Sequence, residues 1–219
     1  MLFGKNFLYR MDYKFGRYAI RNFMTVIIFG MAAVFALSFV YPAMGIVQRI
    51  MFFRDAIAQG EVWRVVSFLF IPPDFSFFFA VISLYFYWHL GRILQSEWGA
   101  FKFNVFYLIG FLGTVLGGVI TGSATNDYLN MSMFFALAIL YPNIEFSLFF
   151  LIPVKIKYLA LIDLAFYVFT FINSGTAYRV SIIVSLLNIV LFFGGDFINT
   201  VKNMRRRAKW KKDAGSWFK

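Results

Sequence analysis

From Gly60 to Leu112 the chain reads GEVWRVVSFLFIPPDFSFFFAVISLYFYWHLGRILQSEWGAFKFNVFYLIGFL. Two apolar runs in and around this stretch decide the fold class. Ser76–Leu94 and Phe103–Thr121 each approach the length of about 20 mostly apolar residues that a helix needs to cross a bilayer. Between them lie Gln95, Glu97, Gly99 and Lys102, the polar, glycine and charged residues of a short connection. Ahead of them Val65–Ile71 is also apolar. Pro72-Pro73 breaks that run, so it reads as an interfacial element before the helix.

Outward from here the same reading gives four more spans: Phe23–Ile46, Tyr128–Tyr141, Ile156–Asn173 and Tyr178–Ile198. The fourth is short and is bounded by Asp127 and Pro142. The expected fold is therefore all-α, a polytopic membrane protein with six transmembrane helices. Residues 1–22 read as a basic, aromatic interfacial segment, 23–198 as the membrane domain and 199–219 as a basic tail. Composition agrees. Only 14% of the 219 residues are charged, against about 25% in an ordinary soluble domain. Too few polar side chains remain to cover a water-facing surface, which excludes a soluble enzyme and a disordered chain.

The net charge of +11 is a matter of placement. If both termini lie inside, 17 of the 21 lysines and arginines fall on the inner side. That asymmetry predicts N-in, C-in orientation. Trp210, Trp217 and Phe218 among the lysines of the tail suit headgroups, so the basic termini are expected to bind anionic lipid in the bilayer rather than nucleic acid.

The chain has no cysteine and one histidine, His89. Disulfides, thiolate metal sites and multi-histidine metal sites are excluded, and no cofactor is expected. Any histidine-assisted chemistry must run through His89.

The segments Gly60-Glu61-Val62-Trp63-Arg64 with Ser67 and Phe70, Gly91-Arg92-Ile93-Leu94-Gln95, Trp98-Gly99-Ala100-Phe101-Lys102-Phe103, and Phe150-Leu151-Ile152-Pro153-Val154-Lys155 resemble, in order and spacing, the rhomboid superfamily. Gln95 stands where that family often has Glu. The resemblance implies a six-helix bundle whose first loop, carrying Trp63 and Arg64, lies in the outer leaflet and disturbs lipid packing. Independently of the family, Trp63 suits the headgroup boundary, and Arg64 suits a phosphate or a loop carbonyl.

Rhomboid proteases use a serine in G-x-S-G at the start of helix four and a histidine in helix six. Here Thr125-Asn126-Asp127-Tyr128 falls opposite G-x-S-G, so Asp127 occupies a degenerate nucleophile position. No histidine follows residue 89. The resemblance is therefore to a branch without the dyad, a derlin-like pseudoprotease. Its expected home is the plasma (inner) membrane of a bacterium, with the endoplasmic reticulum membrane as the alternative. The expected function is to bind or route transmembrane segments of other membrane proteins, single-span proteins among them. The alternatives are an intramembrane serine endopeptidase with an unrecognised nucleophile (Ser123 in Gly122-Ser123-Ala124, or Ser132), an Asp127–Asp163 aspartyl dyad, or a small transporter.

Asp163, Tyr167, Thr170 and Ser174 share one helical face, as do Ser181, Ser185 and Asn188. They form a candidate polar groove for clients, with interhelical hydrogen bonding as the simpler use. A carboxylate inside a span is expensive, so Asp163 should face the bundle or water. Gly113 and Gly117, and Gly118 and Gly122, are small residues four apart, expected to pack helix three inside the chain or, second, in a homodimer. Gly194-Gly195 is a candidate partner for them.

Overall fold

The computed structural model describes residues 5–148 and 152–193. The chain is mostly helical. A surface helix, α1 (Lys5–Phe15), leads through a 3-10 turn into the first long helix, α2 (Phe23–Val40). Three short helices follow: α3 (Ile46–Ile50), α4 (Arg54–Ala58) and α5 (Arg64–Ser67). Then come α6 (Phe77–Trp98), α7 (Ala100–Thr121), α8 (Asp127–Leu140), α9 (Ile156–Asn173) and α10 (Thr176–Phe193). Five of these, α2, α6, α7, α9 and α10, are long and apolar enough to cross a membrane.

The shorter α8 has 14 residues, a length of about 21 Å against a hydrocarbon core of about 30 Å. It is also the most enclosed helix. Leu129, Asn130, Ser132, Met133 and the run Phe134–Ala138 are all buried, packed by α6, α7 and α9. By contrast α9 buries only Ile156 and Tyr167. Its Leu161, Phe166, Phe169 and Ile172 lie open along its outer side.

Several span limits move from the sequence reading. The first helix ends at Val40, not Ile46, because Tyr41 precedes proline and leaves the helical region at φ −126°. Pro42–Met44 then makes a 3-10 turn. The second span runs on to Trp98 rather than Leu94, and the third starts at Ala100 rather than Phe103. Gly99 alone joins them, at φ +80° and ψ 160°, a conformation that only glycine adopts without strain. The fourth starts at Asp127 and stops at Leu140, and the sixth starts at Thr176. Val65–Ile71 is, as read, a short element before the long helix: α5 and a 3-10 turn at Phe68–Phe70. The fifth span, Ile156–Asn173, matches its reading. Residues 194–198, Gly194-Gly195 and the whole tail 199–219 lie outside the described residues.

The fold is not wholly helical. Strand β1 (Phe52–Phe53) pairs antiparallel with β2 (Ser123–Ala124), and β3 (Glu145–Leu148) with β4 (Ile152–Lys155). The first pair ties the loop after α3 to the turn after α7. It seats the buried Phe52 ring edge-on to Phe68 at 5.6 Å, directly over Gly118. The second pair carries the chain from α8 to α9, with Glu145 opposite Lys155. At the other end of the bundle, Trp98 packs on Phe106, Phe192 and Phe193 at centroid distances of 5.2, 6.1 and 5.6 Å. These rings close α6, α7 and α10 together.

Candidate functional site

The Trp63-Arg64 segment is a clasp. A helix of five residues such as α3 leaves its last carbonyls without intrahelical partners. The segment supplies them. Arg64 donates from Nη1 to the carbonyls of Gln48 at 2.6 Å and Met51 at 2.9 Å. Trp63 Nε1 donates to Arg49 O at 3.2 Å, and Ser67 Oγ to Ile50 O at 3.0 Å. Four consecutive carbonyls are thus held by three side chains spaced on one short helix. The positive charge also sits at the negative end of α3. Glu61 accepts from Arg64 Nε and completes the pairing. Of the two partners open to Arg64, loop carbonyls are the ones it takes; its side chain is buried while the Trp63 ring stays exposed.

A second tie lies at the same end of the bundle. Asn126, which precedes α8, donates from Nδ2 to Leu69 O and Ile71 O, both at 2.9 Å. It is almost wholly buried. It anchors the start of α8 to the segment that precedes Pro72-Pro73. The sequence reading passed over Asn126 in favour of its neighbour Asp127, which is the exposed first residue of α8.

Within the bundle, α9 turns Asp163, Tyr167, Thr170 and Ser174 inward; these are its less exposed positions over that stretch. Asp163 is half-buried and Tyr167 buried. The Tyr167 ring meets Tyr128 and Phe135 of α8, each at 5.3 Å. Ser185 of α10 lies beside the Tyr167 hydroxyl, but in no hydrogen-bonding geometry. Asp127 and Asp163 are both within electrostatic reach of the buried Tyr87 of α6. Asp163 Oδ2, Tyr167 Oη and Ser185 Oγ are each buried without a hydrogen-bond partner, with Tyr167 between the other two. Thr170 and Ser174 sit farther along, Ser174 as the C-cap of α9.

A separate polar group lies deeper. Asn188 Nδ2 reaches Ser132 Oγ at 3.5 Å, and Ser132 donates to Leu129 O at 2.6 Å. Tyr107 donates to Asn130 Oδ1 at 3.4 Å. Ser181, by contrast, spends its hydroxyl on Ala177 O of its own helix. So Ser185 and Asn188 point into the bundle core, and Ser181 does not join them. Tyr87, Asn130 and the polar contact of Tyr107 were missed by the sequence reading, since a tyrosine or asparagine in an apolar run gives no signal of its partner.

The glycines divide by role. A side chain on Gly113 or Gly117 would strike Val184 or Val180 of α10, at 2.7 and 3.0 Å. Gly118 receives Phe52 and Ala124 instead, and Gly122 caps α7 at φ +95°. The stripe packs within the chain. His89 stacks on Tyr85 at 6.0 Å, one turn before Arg92, whose guanidinium lies 4.9 Å from the Trp88 ring centre. Among the described residues no group of three or more His, Asp or Glu is placed to hold a metal.

No protein-family model, no curated protein and no solved structure matches this chain.

Proposed function

We propose that the chain is a rhomboid-like membrane protein without the catalytic dyad, which holds and routes transmembrane segments of other proteins. The reading takes α8 as a sixth, shortened crossing and puts both termini inside. An α8 of about 21 Å suits a protein that thins the bilayer around itself or hides a short helix among longer ones. Its basic termini would meet anionic lipid, in a bacterial inner membrane or the endoplasmic reticulum.

The observation that carries the proposal is the uneven packing of α9. This helix presents an inward polar stripe from Asp163 to Ser174, yet only Ile156 and Tyr167 are buried on it. A span held so lightly is one that a visiting helix can pack against or displace.

The test is photo-crosslinking in liposomes. A photoreactive residue in place of Leu164 or Phe169, both exposed on α9, should form adducts with a co-reconstituted single-span protein. Excess unlabelled single-span peptide should compete for them. The same residue at Phe29 on α2 should give far fewer. Equal yields at all positions would refute the reading. Labelling by a serine-directed fluorophosphonate probe would refute the absence of catalysis. Topology can be read by single cysteines, because the chain has none of its own. Cysteines at residues 14 and 102 should react from the inner side only, and one at residue 62 from the outer side only.

A further inference from the structure

The hairpin between α8 and α9 has two edges, and the sequence treats them differently. From Glu145 to Lys155 it reads EFSLFFLIPVK, an apolar run closed at its base by Glu145 opposite Lys155. An antiparallel ladder alternates bonded with non-bonded pairs. Just below this one, Ile156 donates to Ile144 O at 2.9 Å. The bonded pairs are therefore Phe146 with Val154 and Leu148 with Ile152. Glu145–Lys155 and Ser147–Pro153 are the non-bonded ones, and a non-bonded position is where a proline, having no N–H, can stand. The backbone N–H and C=O of Glu145 and Ser147 thus point away from β4, along the outer edge of β3. Among the described residues they have no backbone partner. On the opposite edge Pro153 has no donor to offer.

An apolar hairpin set between two membrane helices is drawn to the bilayer surface. There water competes less for open backbone groups, and leaving them unpaired is costly. A bare strand edge is also a template for another strand. We propose that the outer edge of β3 pairs antiparallel with β3 of a second copy of this chain, about a two-fold axis at Phe146. In this register Glu145 of each copy lies opposite Ser147 of the other. Every outward N–H meets an outward C=O, and none is left over. The two Glu145 carboxylates are kept apart, whereas a register centred on Glu145 would set like charges opposite each other. The strand is thus complementary to itself, as a closed two-fold contact requires. Pro153 blocks the far edge, so the joined sheet stops at two copies instead of growing.

The experiment uses the full chain in liposomes. With no cysteine of its own, the chain accepts single cysteines that report the register. Phe146 would lie opposite itself as a non-bonded pair, with Cα atoms about 4.5 Å apart, within the range of a disulfide. Phe146→Cys should therefore crosslink to a dimer under mild oxidation at least about tenfold faster than Val154→Cys on the far strand. A mixture of Glu145→Cys and Ser147→Cys should crosslink faster than either alone. Ser147→Pro leaves the hairpin's own ladder intact, because that N–H faces away from β4, but it removes a donor between copies. It should weaken association at least about tenfold, read as energy transfer between labelled copies on dilution into lipid. Ser147→Ala should associate like the wild type. Energy transfer in the wild type needs no substitution, and its absence at every dilution would overturn the proposal. So would equal crosslinking at positions 146 and 154, or a Ser147→Pro chain that associates like the wild type. In native membranes, Phe146→Cys joined only to a different protein would overturn the second copy as the occupant.

Discussion

Arg64→Ala removes the centre of the clasp on α3, and its cost can be worked from the bonds. Arg64 is buried and donates to two carbonyls, at 2.6 and 2.9 Å. A hydrogen bond from a charged donor contributes about 1.5–3 kcal/mol. The two carbonyls do not fare alike when it is gone. Gln48 is exposed, so water replaces the lost donor there at little cost. Met51 is half-buried, and its carbonyl keeps more of the desolvation penalty. Glu61, partly exposed, is rewetted. The sum is about 3–4 kcal/mol. Arg64→Lys keeps a charge but not the fork, and should recover about half of it. Two assays read this. Reversible unfolding of the purified chain in mixed micelles should show the loss directly. Trypsin cutting at Arg49 and Arg54, inside the clasped loop, should speed up by several hundredfold, about 100- to 1000-fold, if the loop opens locally, since each 1.4 kcal/mol is a factor of about ten. Unfolding within about 0.5 kcal/mol of the wild type, together with unchanged cutting at those two sites, would refute the clasp as the source of loop order.

Other substitutions probe the remaining joints. Asn126→Ala strands the carbonyls of Leu69 and Ile71 in a buried setting and should destabilise by about 2–3 kcal/mol in the same unfolding assay; Asn126→Asp, which loses the donor, should be no better. Gly113→Leu and Gly117→Leu would drive side chains into Val184 and Val180; each should lower stability by about 1–3 kcal/mol. Their oligomeric mass by light scattering should stay as in the wild type, because the stripe is used within the chain. Gly99→Ala forces a side chain into a glycine-only conformation between two long helices and should cost about 1–3 kcal/mol, read as a lowered Tm.

What was legible in the sequence follows from what a bilayer demands. The apolar runs announce the helices, because every backbone group inside a membrane must be paired within its own segment. That is why Ile156–Asn173 could be read to the residue. Limits set by one conformation were harder. Gly99 offers no clue that it alone turns the chain, and Pro42 reveals the break at Tyr41 only when the preceding residue's restriction is applied strictly. The short strands escaped notice because two-residue ladders have no periodicity to detect. The site divides the same way. Helical spacing put Asp163 and Tyr167 on one face, and Ser185 and Asn188 on another. Which of these oxygens meet depends on the separation of α9 and α10, which no spacing encodes.

Asn126 shows why side-chain donors gather at one end. The start of the short α8 lies against the irregular backbone of Leu69 to Ile71, whose carbonyls need donors. The chain answers with side chains that reach carbonyls: Asn126 to Leu69 and Ile71, and Arg64, Trp63 and Ser67 to the end of α3. Both sets bind irregular backbone that lies between spans. Carbonyl acceptors are present at every residue, so the sequence marks the donors and never their targets. A Trp-Arg pair followed by serine three residues later is thus readable as a donor set in advance. That its targets are four carbonyls in a row emerges only from the path of the loop.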